Sequence, residues 1–279
     1  MDMHPTGTAS IEDHEPAATE APTGVSLFSI TQATAATFTD LFIGLTFLCF
    51  ITSGTKRVLC PVHGEIIGEE GDLLVFPTGS IVTLENGPIP KVGYRAEGVY
   101  FPRDLVQEVF SEHTPRHSSA GIQILRAACR PHEMLNLLRE TVERPDLPPL
   151  VRRHRLLEPL LCLRHHGIQL PAQDQDQPSS AVRRLIESDV ARRWRVGEVA
   201  RHFAMSEATF RRWLTKSGPG FHRVLMNTRL EKGLARLQST TRPISEIALD
   251  CGFKTPSHFS DAFRERFGIK PRSIRSAED

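Results

Sequence analysis

Residues 242–275 read RPISEIALDCGFKTPSHFSDAFRERFGIKPRSIR, and their apolar residues are ordered in two blocks. In the first block Ile244, Ile247, Ala248 and Cys251 follow the spacing of one helix face. Gly252 and Phe253 then supply a turn. In the second block Thr255 suits a helix N-cap, Pro256 suits the first helical position, and Phe259 and Phe263 face inward one turn apart. The same pattern occurs 48 to 49 residues upstream, where Val196, Val199, Ala200 and Phe203 precede a turn at Ala204–Met205. Ser206 then caps a second helix carrying Phe210 and Leu214. A small residue where two helices cross, a tight turn and a capped second helix are the requirements of a helix-turn-helix, and the chain meets them twice.

Between the copies, residues 221–239 place Val224, Leu225, Thr228, Leu230, Leu234 and Leu237 at helical spacing. At about 1.5 Å per residue this connector spans roughly 28 Å. Successive major-groove turns on one face of a duplex lie about 34 Å apart, so the connector suits two readers in adjacent grooves. Charge points the same way. Residues 179–279 hold 20 Lys and Arg against 11 Asp and Glu, a net +9, whereas residues 1–178 hold 14 against 22, a net −8. A basic module for a polyanion is joined to an acidic module with another task.

Residues 179–276 resemble the AraC/XylS family of bacterial transcription regulators. The resemblance is most specific over 242–275, through Ile247, Ala248, Gly252, Phe253, Ser257, Phe259, Phe263, Phe267, Gly268 and Pro271. It implies a seven-helix DNA-binding domain, a double-stranded DNA site of two adjacent half-elements, and an N-terminal partner that is often a cupin-like barrel with a helical dimerisation hairpin. The family's base-contacting positions fall on Ala208, Arg211 and Arg212, and an arginine can bond a guanine edge through two parallel hydrogen bonds. Thr209 and Lys216 lie on the same exposed face. The second reader helix offers Lys254, Ser257, His258, Ser260, Asp261 and Arg264. Asp261 departs from the family, where a basic residue is frequent; an acid there would accept from a cytosine amine or orient Arg264. Phosphate anchoring through Lys254, Ser257 and Arg264 is the alternative, and His258 has packing as its alternative role. Trp194 and Trp213 lie on apolar helix faces and read as core.

The remainder reads differently. Residues 1–24 have neither periodicity nor aromatics and are expected to be a disordered lead-in. Residues 25–101 alternate short β-type runs (VSLFSI, LTFLCFI, KRVLC, EIIG, DLLVF, IVTLEN, VGYRAEGVYF) with Gly and Pro turns, which favours an antiparallel barrel or sandwich. Helices are expected over 102–112, 132–144 and 150–165, the last two as an antiparallel pair. The fold class is therefore α+β. An N-terminal antiparallel cupin-like β-barrel with a helical hairpin (25–167) is joined by a polar linker (168–180) to an all-α domain with two helix-turn-helix units (181–279).

The five cysteines are scattered without a Cys-x-x-Cys pair, and His63 lacks the His-x-His partner of a cupin metal site. No metal, cofactor or enzymatic activity is expected, against the rival of a cupin enzyme fused to this module. The most apolar run, Leu41–Ile51, is too short for the roughly 20 residues of a membrane span, and a cytoplasmic, nucleoid-associated protein is expected. The expected function is a promoter-binding activator that positions RNA polymerase. Its N-terminal domain would form a homodimer through the leucine-rich faces of residues 134–142 and 156–161, or sense a small-molecule or protein effector. If Phe47, Phe50, Val75 and Phe76 leave space inside the barrel, Arg57, Tyr94 or Arg95 would orient an acidic ligand.

Overall fold

The computed structural model describes residues 19–20, 24–60, 64–111, 121–171, 177–216 and 218–276. Most of the expected lead-in, the middle of the linker and His63 lie outside the described residues. Among the described residues ten strands and ten α-helices follow one another as expected for α+β: β1 (Thr19–Glu20), β2 (Ser26–Gln32), β3 (Ala36–Ile43), β4 (Thr46–Ser53), β5 (Thr55–Cys60), β6 (Gly64–Gly68), β7 (Leu73–Phe76), β8 (Ser80–Gly87) and β9 (Tyr94–Phe101) precede α1 (Arg103–Phe110) and β10 (Gln123–Leu125). The helices α2 (Pro131–Glu143) and α3 (Pro149–His165) complete the N-terminal half. The strands form two antiparallel sheets, ordered β1-β2-β9-β4-β7-β10 and β3-β8-β5-β6. Among the described residues the cupin-like sheet fold is therefore present as two sheets, without one hydrogen-bonded ring.

Strand β4, TFLCFITS, is buried on both faces, so its sequence shows a continuous apolar run where alternation would mark a half-exposed strand. Its pleat still sorts the side chains. Phe47, Cys49 and Ile51 join Leu74 and Phe76 in the core between the sheets. Leu48 and Phe50 join Leu73 and Val75 against α1, α2 and α3. Of Phe47, Phe50, Val75 and Phe76, the four side chains considered as possible filling of the interior, Phe47 and Phe76 lie between the sheets, whereas Phe50 and Val75 face the helices.

The C-terminal half consists of α4 (Pro178–Glu187), α5 (Val196–His202), α6 (Glu207–Thr215), α7 (Phe221–Ser239), α8 (Ile244–Asp250), α9 (Pro256–Phe267) and α10 (Pro271–Arg275). These are the seven helices the resemblance implies, and α4 begins inside the stretch read as linker. The sheets do not stand apart from them. The core between the sheets runs on into α7, α8, α9 and α10, through Leu230, Leu234, Leu237, Ile247, Phe259, Phe263, Phe267 and Ile274. Phe38 of β3 meets Phe267 edge-on at 5.4 Å between ring centres, and the Ala33 N–H donates to the Ile274 carbonyl at 2.8 Å.

Candidate nucleic-acid interface

Both reader helices begin as their sequences require. The Ser206 hydroxyl accepts from the Thr209 N–H at 3.2 Å and opens α6, and the Thr255 hydroxyl accepts from the His258 N–H at 3.2 Å and opens α9. Each bond satisfies a donor that the first helical turn would otherwise leave unpaired. The inward residues are buried as read: Val199, Ala200, Phe210 and Leu214 in the first unit, and Ile247, Ala248, Phe259 and Phe263 in the second. Tight turns join the helices of each pair. Ala204 has a φ of 54°, and Gly252, at 79°, occupies a backbone region that glycine enters without strain.

Burying one face of each reader helix leaves the other to solvent. On α6 and just beyond it, Ala208, Thr209, Arg211, Arg212 and Lys216 are exposed. On α9 and just before it, Lys254, Ser257, His258, Asp261 and Arg264 are exposed, and Ser260 is half-buried. Several of these side chains have intramolecular roles. Thr209 also shares a hydrogen bond with the Ser206 hydroxyl at 3.0 Å, and Ser260 donates to the Pro256 carbonyl at 2.9 Å. The His258 ring rests edge-on against Phe253 with centres 5.5 Å apart, which fits the packing alternative. Arg211 approaches Glu207 at 3.8 Å one turn earlier, whereas Arg212 has no acidic partner among the described residues. Asp261 and Arg264 form no ion pair there either, so the expected orienting role of Asp261 is not seen in this geometry.

Trp194 is buried and donates its indole N–H to the Asp189 carbonyl at 2.9 Å, while Trp213 is half-buried beside Phe203 and Phe210. Both act as core, as read.

The three candidate effector residues do not converge. Arg57 pairs with Glu65 and Glu85 on the exposed face of its sheet. Tyr94 is buried between the sheets, with its hydroxyl 3.6 Å from the Cys49 sulfur, and Arg95 is exposed on the next residue. Of the three, Tyr94 and Arg95 border a common space, a cleft of about 440 Å³ between residues 88–95, Thr31–Ala33 and the end of α10. A polar relay that the sequence does not reveal runs beside it. Buried Lys56 donates to Asn86 at 2.5 Å, Asn86 donates to Gln32 at 2.8 Å, and Gln238 of α7 donates to the same Gln32 oxygen at 2.8 Å. Burial holds the Lys56 ammonium below the usual lysine range, an effect partly offset by the nearby Cys49. No local pattern announces these residues, because each comes from a different strand or helix.

Among the described residues no group of three or more His, Cys, Asp and Glu is placed to hold a metal ion. No helix there is long and apolar enough to cross a membrane.

With this geometry in place, similarity to known proteins is informative. The helix-turn-helix domain family matches residues 199–277. Over 96 residues the chain is 34% identical to the DNA-binding dual transcriptional regulator Rns of Escherichia coli, a match spanning 34% of this chain and 36% of Rns. The chain thus spans about a third of the length of that relative. The transcriptional activator RhrA of Rhizobium meliloti is 22% identical over 85% of this chain and 83% of its own. In architecture the chain is similar to ToxT of Vibrio cholerae in its unsaturated-fatty-acid-bound crystal structure, with a TM-score of 0.60, 13% identity and coverage of 88% of this chain and 92% of that one. That likeness shows the fold alone. With their paired, capped helix-turn-helix units, residues 199–277 form a helix-turn-helix domain of the AraC/XylS type, and there the chain is similar to transcription regulators of that family.

Proposed function

We propose that this protein is a sequence-specific DNA-binding transcription activator. Residues 181–279 bind two adjacent major-groove segments, residues 25–167 sense or dimerise, and residues 168–180 join them. The observation that carries the reading is the pair of reader helices, each capped at its N-terminus, each buried on one face, and each presenting arginine on the other. Bound upstream of a promoter, such a protein would position RNA polymerase. Fluorescence anisotropy of the full-length chain with duplex DNA tests it. Six to ten phosphate contacts should lower the affinity by about 10³ to 10⁵ between 50 and 200 mM salt. In the same assay Arg212→Ala should cost about 1–3 kcal/mol and relax the preference at one base position. A folded full-length protein without salt-sensitive binding removes the proposal, and uniform weakening across sequences reassigns Arg212 to a phosphate.

Self-association is the second part of the proposal, and the structure changes its expected face. Met134, Leu135, Leu138 and Val142 of α2, and Leu156, Leu160 and Leu163 of α3, are buried within the chain itself. Leu150, Val151 and Leu161 remain outward on α3, at 80%, 43% and 46% exposure, so the homodimer is assigned to this face. Sedimentation velocity should show a dimer at high micromolar concentration and a monomer for Leu161→Glu. A monomeric native chain under those conditions sinks the assignment.

The proposed signal input is the cleft beside Tyr94 and Arg95, where Lys91 and Arg95 supply positive charge and Ile89 and Val92 an apolar wall. An acidic apolar effector bound there would adjoin the Gln32 end of the relay to α7. An unsaturated fatty acid, the ligand class named for the ToxT structure, is the first probe. It should raise the melting temperature of the native chain but not of Arg95→Ala. An equal shift in both places the effector elsewhere.

A further inference from the structure

The two helix-turn-helix units are attached to the molecule in different ways. The first has its own apolar core, made by Val182 and Ile186 of α4, Trp194, Val199, Ala200, Phe210, Leu214, and Val224 and Leu225 of α7. The second shares its core with the sheets, beginning at Leu230 of the same helix. Among the described residues no buried apolar side chain belongs to both cores. The changeover falls within about one turn of α7. There the buried Thr228 donates its hydroxyl to the Val224 carbonyl at 2.8 Å, a back-bond that often bends helices.

Charged groups bridge this changeover. Arg183 of α4 is buried, lies 4.9 Å above the Phe42 ring of β3, and sets its Nη1 2.5 Å from Oε2 of Glu231 on α7. Arg266 of α9 approaches Oε1 of the same carboxylate at 3.8 Å. It also donates to the Thr39 hydroxyl at 3.2 Å and to the Thr39 and Asp40 carbonyls at 2.8 and 3.3 Å. Those carbonyls lie at the register shift between Phe38 and Leu41, where Asp40 has a φ of 50°. Arg229, two residues before Glu231 and so on the opposite side of α7, donates to the carbonyls of Val190 at 3.1 Å and Arg192 at 2.8 Å. Its guanidinium also lies against the turn of the second unit, since a Cβ on Gly252 would come within 2.7 Å of Nη2.

One carboxylate therefore receives a guanidinium from each unit, and one guanidinium touches both from the other side of the connector. We propose that Arg183, Arg229, Glu231 and Arg266 are positioning residues that fix the separation and angle of the two reader helices, and thereby the half-element spacing that the protein selects. A planar guanidinium held to a largely enclosed carboxylate constrains direction as well as distance, which apolar packing on separate cores does not. The proposal rests on the two-reader reading of the function.

The test uses the full-length protein and duplexes whose two half-elements are moved apart in single base-pair steps. Each step displaces and rotates one half-element against the other, so a fixed pair of readers resolves it. The native chain should favour one spacing over its neighbours by about tenfold, within the usual cost of one disturbed base-pair contact. Arg183→Gln and Glu231→Gln should flatten that profile to within about threefold while leaving binding to a single half-element unchanged, and Arg183→Lys should restore part of the preference. Folded Arg183→Gln and Glu231→Gln proteins that both keep the native profile overturn the proposal. Hydrogen exchange of the unbound native chain is a second arm that needs no DNA. Amides of α8 and α9 should open with those of β3 and β8, and amides of α5 and α6 should open separately. If the two units instead open together and apart from the sheets, the proposal is wrong. If no duplex is bound at all, the functional reading falls, and this second arm still decides the division into two bodies.

Discussion

Two alanines inserted after Asn227 should lower specific DNA affinity by about a thousandfold or more, to the level of non-specific binding. The site lies between Leu225, the last connector residue in the first unit's core, and Leu230, the first in the core shared with the sheets. Alanine has the highest helix propensity, so the connector should remain helical. It lengthens by only about 3 Å, but everything beyond the insert turns by about 200°, because each residue advances roughly 100°. One reader then points away from the duplex. Four inserted residues add about 6 Å but rotate by only about 40°, so part of the binding should return. Arg229 and Glu231 move with the helix, so circular dichroism and thermal unfolding must first show a native fold. A folded two-residue insert with native affinity would mean that one unit alone contacts DNA.

Phe263→Ala should destabilise the protein by about 3–5 kcal/mol, the range for deleting a buried aromatic side chain in a core that cannot collapse around the void. Phe263 is fully buried on α9, between Phe259 and Phe267, with ring centres 5.5 and 4.7 Å away. Phe267 in turn meets Phe38 of β3, so the loss reaches the sheets. Urea denaturation should therefore show one lowered transition for the second unit and the N-terminal sheets together, with tryptophan fluorescence from Trp194 and Trp213 reporting the first unit. A loss below about 1 kcal/mol, or destabilisation confined to α8 and α9, would show that the apparent common core is not energetically shared.

The helix-turn-helix pair is legible in the sequence because its determinants are local. The spacing of Val199, Ala200, Ile247 and Ala248, the caps Ser206 and Thr255, and the turn glycine Gly252 act within segments of a few turns, and each has a residue-type signature. The connector's limits at Phe221 and Ser239 follow from the same periodicity. Strand positions are legible from turn residues, but which face of β4 meets which core is not. A strand covered on both sides shows no alternation to read, and so the helix-facing positions of Phe50 and Val75 are not legible. The roles of single exposed residues divide along the same line. Exposure follows from periodicity, whereas the contact of His258 with Phe253 depends on a neighbour across the turn.

The sequence by itself determined that two capped helix pairs stand on one basic connector, since helical periodicity and capping are satisfied within each segment. Tertiary structure alone decided that the second pair shares its core with the N-terminal sheets while the first does not. It also decided that Arg183, Glu231 and Arg266 meet. Arg266 reaches Thr39 across 227 residues of chain and Thr31 reaches Gln238 across 207, and no pattern of neighbouring residues encodes such partners. An arginine on a helix has the same local signature whether its guanidinium ends in water, on a phosphate or on a buried carboxylate. What distinguishes these cases is the low-dielectric surroundings assembled by distant segments, and those exist only once the chain has folded.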